Sequence, residues 1–127
     1  MSEFAPDYRN IVDAASNISA KRLPLYEHII SEKIMAEVLG RPLNGSPDGS
    51  FSEALAYFRD YCGFFERMGY DTVSCEGCIT SVLPGGGALG GHKEGVIKTV
   101  DDFKKYPWHD IPELYFRKYS NAFKALK

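Results

Sequence analysis

Between Ser50 and Gly69 the chain has one natural conformation, a long amphipathic helix. Ser50-Phe51-Ser52-Glu53 has the form of a capping box, in which a serine hydroxyl and a glutamate three residues on each accept the other's backbone N–H. Phe51, Ala54, Leu55, Phe58, Tyr61, Cys62, Phe65 and Met68 follow at three- and four-residue steps and form one apolar stripe. That spacing makes the aromatic stripe a core surface and not a stacking platform for a cofactor. Cys62 belongs to it and is expected to be an inert buried thiol.

A chain of 127 residues is long enough for one domain with one core. Its hydrophobic share of 44% and charged share of 25% are ordinary for a soluble protein, so neither disorder nor a membrane span is expected. The formal charge of -2 lacks the basic excess of a nucleic-acid footprint. Three sparse cysteines, with no secretory leader pattern, suit a reducing cytoplasm.

Before the long helix, Tyr8, Ile11, Val12 and Ala15 recur at helical spacing and predict a short helix from Asp7 to about Asn17. Lys21 to Glu27 reads as a first strand, with Pro24 near its beginning. Ser31 is placed to cap a helix through Leu39, and Gly40 stands where a left-handed terminating residue is wanted. Arg41 to Gly49 is a loop by its turn residues.

Chemistry-bearing residues are concentrated from Gly69 to Gly95. Tyr70 to Cys75 reads as a buried strand, and Glu76 falls at its carboxyl end, where α/β folds place their ligands. Glu27 and His28 end the earlier strand. Neighbouring parallel strands would bring Glu27 and Glu76 to one rim, a pair suited to proton transfer or cation binding. Both also fit a plainer role as solvated turn acids, and an isolated histidine is more often structural than catalytic.

Gly85 to Gly90 matches G-x-G-x-x-G by letter, but it does not join a strand to a helix, so dinucleotide binding is set aside. A loop covering substrate is the better functional reading, with Gly86, Gly87 and His92 as its substrate-binding residues. Cys75-Glu76-Gly77-Cys78 is a single C-x-x-C without the two further ligands of a closed zinc site, so no metal is expected here. Gly95 to Lys98 is a short extended piece, and Thr99 and Asp102 open a brief helix that Pro107 stops. Asp110 and Glu113 start a last helix, whose apolar face is Ile111, Leu114, Tyr115, Tyr119, Ala122, Phe123 and Leu126.

Alternating strands and helices predict an α/β architecture. Arg22-Leu23-Pro24, the strand through Cys75-Glu76, the glycine loop with Pro84, and the run Val96 to Trp108 together resemble the uroporphyrinogen decarboxylase family, which includes corrinoid-dependent methyltransferases. The resemblance covers nearly the whole chain and corresponds to the amino-terminal third or so of such a protein. It implies an incomplete (β/α)₈ TIM barrel, since a whole barrel needs about 250 residues.

In the family's decarboxylases, an aspartate at the end of the second strand contacts the substrate's pyrrole nitrogens, and Glu76 falls on that position. The arginine-bearing motif after the first strand is not matched by Tyr26 to Ile30, which shifts weight to the methyltransferase branch. The resemblance thus implies a lyase or methyltransferase as parent, a tetrapyrrole or corrinoid as ligand, and corrinoid or zinc as cofactor of the whole protein. The chain alone is expected to be inactive, with Glu76 and Glu27 as its contribution to the catalytic site. The alternative is a self-associating interaction module without catalysis, its sheet edges covered by a second copy.

Overall fold

The computed structural model describes residues 4–86 and 94–127. Five α-helices follow in order: α1 (Arg9–Ala15), α2 (Glu32–Leu39), α3 (Phe51–Arg67), α4 (Val100–Lys105) and α5 (Ile111–Ala125). Single 3-10 turns lie at Ile79–Ser81 and Trp108–Asp110. The expected helices therefore form, and most of their ends follow from the residues read as caps. Ser31 Oγ accepts the Ile34 N–H, and Gly40 closes α2 at φ +70°. Both capping boxes are made, at Ser50 with Glu53 and at Thr99 with Asp102. Asp110 precedes α5 without capping it through its side chain; Pro112 and the preceding 3-10 turn set that start instead.

The α/β barrel expectation is overturned, because among the described residues there is no β-strand. A parallel strand must be covered on both faces. Lys21 to Glu27 instead runs over the surface, with Leu23 86% exposed. Tyr70 to Cys75 is extended and largely half-buried, but its polar groups go to partners other than a ladder. Tyr70 N–H bonds the Phe65 carbonyl at 2.9 Å, closing α3, and the Ser74 carbonyl accepts from Tyr61 Oη at 2.8 Å. Further on, Lys98 N–H donates to Asp102 Oδ2 at 3.1 Å and so joins the α4 cap. The first two extended segments still lie side by side, joined by Ser74 Oγ donating to the Glu27 carbonyl at 3.2 Å.

The core forms around α3. Met35, Phe64 and Phe65 make one buried cluster, with Ile30, Leu39, Tyr70 and Val73 packed on it. Tyr57, Phe58 and Ala122 make a second, between α3 and α5. Leu43 and Tyr61 pack against both. The buried stripe of α3 is thus Ala54, Tyr57, Phe58, Phe64 and Phe65, rotated slightly from the one expected. Phe51 and Met68, at its ends, are about half exposed. In α1 the apolar positions Tyr8 and Val12 face solvent, and the buried residue is Asn10.

Two carboxylates tie the connecting segments to this core. Asp60 of α3 takes a two-pronged contact from Arg41 at 2.6 and 2.7 Å, and Asn44 donates to it from N–H and Nδ2 at 2.8 and 2.9 Å. Those bonds hold its carboxyl well below the usual range and fix the loop that carries Leu43 into the core. Gly45 in that loop has φ +73°, and a Cβ there would lie 2.1 Å from the Glu53 carbonyl oxygen, so only glycine fits. Asp71 is 5% exposed and accepts from Arg22, from Asp7 N–H at 2.8 Å and from Asn10 Nδ2 at 3.3 Å.

Arg22 chiefly, with Asp7 and Asn10, lowers the Asp71 pKa. A carboxylate with a depressed folded-state pKa stabilises the fold fully above the ordinary carboxylate range and ceases to do so as pH falls through the depressed value. Asp71→Asn should therefore cost about 2–3 kcal/mol at neutral pH by urea denaturation, an amount moderated by the partial exposure of Arg22. The gap between wild type and variant should narrow as pH falls below the ordinary carboxylate range and close once Asp71 is protonated. An equal gap at every pH would remove Asp71 from this role.

Candidate functional site

One cleft of about 380 Å³ opens between α2, α3 and α5 and the two extended segments. Its walls are apolar and aromatic, including Ile29, Phe58, Tyr61, Tyr119 and Phe123. Its polar groups are few: His28, Glu32, Asp48, Tyr57 and Glu76 are the ones that can carry charge or a strong donor outside those walls. That is the usual make-up of a small-molecule site, and the volume lies at the lower end of the ~300–1,000 Å³ such pockets span.

Each polar group is placed by a different part of the chain. Glu76 follows the extended segment that Asp71 anchors, and its Oε1 lies 3.2 Å from His28 Nδ1, with both side chains more than half exposed at the mouth. The contact is an ion pair when His28 is protonated. Glu32 sits in the first turn of α2 and accepts from Tyr57 Oη at 2.9 Å. Burial first, and then the Glu32 contact, push the Tyr57 phenol well above its ordinary value, so it stays a neutral donor. Asp48 is engaged by Lys118 at 3.5 Å.

The segment after Glu76 is clamped onto α5. Tyr115 Oη donates to the Gly77 carbonyl at 3.1 Å and Tyr119 Oη to the Cys78 carbonyl at 3.2 Å. A Cβ at Gly77 would stand 2.6 Å from Tyr115 Oη, so glycine allows that close approach.

Of the residues singled out by sequence, Glu76 lies at the cleft mouth, and Glu27 lies beside it in the chain fold without lining the cleft. The juxtaposition expected of Glu27 with Glu76 is made instead by its neighbour His28, because one residue further along an extended chain points the opposite way. Gly86, at φ +90°, is exposed and away from the cleft. Gly87 and His92 lie outside the described residues. Glu32 and Tyr57 were not legible as site residues; Tyr57 carries a faint signal, standing three residues after Ala54 and four before Tyr61. Among the described residues no group of three or more His, Cys, Asp or Glu is placed to hold a metal. No described helix is long and apolar enough to cross a membrane.

Comparison with protein-family models, with curated proteins and with solved structures gives no match.

The three cysteines differ in reactivity for physical reasons. Cys78 is exposed, and the Thr80 hydroxyl 2.8 Å from its sulfur lowers its pKa. Burial raises that of Cys62, and burial with the nearby Glu76 charge raises that of Cys75, although its side chain reaches solvent. Iodoacetamide at neutral pH should alkylate Cys78 first and Cys62 last, as read by mass spectrometry of timed samples. Cys62 labelling as fast as Cys78 would show the α3 face to be open.

Proposed function

We propose that the cleft is a ligand site and that Glu76 at its mouth recognises an N–H donor or cation on a flat, largely apolar ligand. The observation that carries this is the Glu76–His28 pair, set at the opening of an aromatic-walled cavity. A carboxylate in such a place makes charge-assisted hydrogen bonds, while the ring walls accept a flat apolar body.

A pyrrole N–H is a donor of this kind. The resemblance to uroporphyrinogen decarboxylases puts Glu76 where those enzymes contact pyrrole nitrogens, which favours a tetrapyrrole over other flat donors. The barrel and the strand that define that position do not form here, so the pyrrole class rests on the motif resemblance, with the aromatic walls and the Glu76 acceptor of the cleft compatible with it. At about 380 Å³ the cleft has room for part of a tetrapyrrole, with the remainder over the mouth. A corrinoid is the second ligand of that class, as in the methyltransferase branch.

Calorimetric titration with a carboxylate-free porphyrin, tetrakis(N-methylpyridinium-4-yl)porphyrin, and separately with hydroxocobalamin, tests the reading. The expected result is binding of the porphyrin, weakened about 10- to 100-fold by Glu76→Gln, the loss of one charge-assisted hydrogen bond. Glu27→Gln, outside the cleft, should leave affinity unchanged. Full affinity in Glu76→Gln, with its circular dichroism spectrum intact, would reduce Glu76 to a turn acid.

A second reading, self-association, is favoured by the exposed apolar residues Leu23, Leu25, Tyr26 and Ile29 of one connecting segment, with Ile34 and Val38 also exposed on α2. Scattered exposed apolar residues are normal, but several within one short segment invite a second copy. Sedimentation should give a concentration-dependent dimer that Leu23→Ser with Ile29→Ser abolishes. A monomer at all concentrations would end this reading.

A further inference from the structure

We propose that Glu32 is a second recognition acid of the same cleft, so that its ligand is a planar molecule with two separated cationic or N–H-donating groups. This rests on the reading of the cleft as a ligand site and specifies what that site selects. Glu32 and Glu76 line one cavity from different elements, α2 and the segment after residue 75. Each is held through one carboxylate oxygen: Glu32 Oε1 by Tyr57 at 2.9 Å, Glu76 Oε1 by His28 at 3.2 Å. Among the described residues neither Oε2 has a protein donor, so each acid is positioned and still has acceptor capacity.

Among the described residues Asp48 is engaged by Lys118, and no lysine or arginine lines the cleft to neutralise either glutamate from within. His28 is the one basic group among the described residues of the lining, and it faces Glu76. An anionic ligand would meet repulsion there, and a ligand with a single donor would leave one acid unused. A planar dication or bis-N–H donor meets both, with its rings against Tyr61 and Phe123.

Tyr57 is a positioning residue in this arrangement. Its ring is buried in the core while its hydroxyl fixes an exposed glutamate from beneath. An exposed glutamate left to itself samples several rotamers, so a fixed one has less freedom to lose when ligand binds.

The test uses the fluorescent planar bis-amidine 4′,6-diamidino-2-phenylindole, with benzamidine as its single-amidine counterpart. The bis-amidine should bind the intact chain at least about 30-fold tighter than benzamidine, as two charge-assisted contacts exceed one. Glu32→Gln and Glu76→Gln should each weaken it about tenfold or more, and the double variant further. Tyr57→Phe should weaken it about threefold in the wild-type background and not at all in Glu32→Gln, a dependence that general loss of packing would not give.

If Glu76→Gln lowers bis-amidine affinity and Glu32→Gln does not, the two-point inference fails and the ligand site at Glu76 stands. Loss with neither variant removes both readings. Should Glu32→Gln unfold, the comparison of the two amidines on the wild-type chain decides alone: affinities within a few-fold of each other overturn the inference.

Discussion

Burial of one stripe of α3 against two different parts of the chain is the interaction on which the rest of this structure depends. Phe64 and Phe65, near its carboxyl end, take α2 and the segment after Gly69, while Tyr57 and Phe58, two turns earlier on the same face, take α5. Five buried positions spread along seventeen residues let a single helix organise the packing of the described chain. At roughly 1.5–3 kcal/mol for each fully buried large apolar side chain, these contacts outweigh any one polar interaction in the molecule. The T-shaped arrangement of Phe64 on Phe65, and of Tyr57 on Phe58, adds directional preference to that burial.

Polar contacts decide where the connecting chain runs over this core. The long segments between helices have no ladder to hold them, so buried or half-buried carboxylates do that work by collecting several donors at once. Asp60 gathers Arg41 and Asn44, and Asp71 gathers Asp7, Asn10 and Arg22, from as far away as 64 residues in sequence. Asp71 accounts for an otherwise odd feature of α1, whose buried residue is an asparagine. Asn10 is inside because its amide supplies Asp71, and the apolar side chains of α1 are turned out in consequence.

The cleft is the product of both effects. Aromatic side chains left over from the α3 and α5 stripes form its walls, and the anchored segment after Asp71 delivers Glu76 to its mouth. Tyr57 and Tyr61 link the layers, since each packs its ring in the core and spends its hydroxyl on a group at the cleft: Glu32 in one case, the Ser74 carbonyl in the other. A polar function and a hydrophobic core therefore share the same side chains, which ties the shape of the site to the packing of α3.

What the sequence determined by itself was local. Capping boxes at Ser50 and Thr99, the glycine after Leu39 and the prolines near α4 and α5 act within a turn or two of chain, so the helices and most of their ends were legible. Glu76 stood out in the sequence as the end of an extended run, and the structure sets it at the cleft mouth. Only the tertiary structure decided the fate of the β-prone runs, since a strand exists through a neighbour's backbone and not through its own residues. Lys21 to Glu27 was left on the surface, and the backbone of residues 70–75 was taken up by the Phe65 carbonyl and the Tyr61 hydroxyl, so the expected sheet had nothing to form from. The partners of Glu76 were equally non-local. His28 lies 48 positions away and Glu32 meets Tyr57 across 25, separations that periodicity does not encode and that the packing of α2 and α5 around α3 supplies.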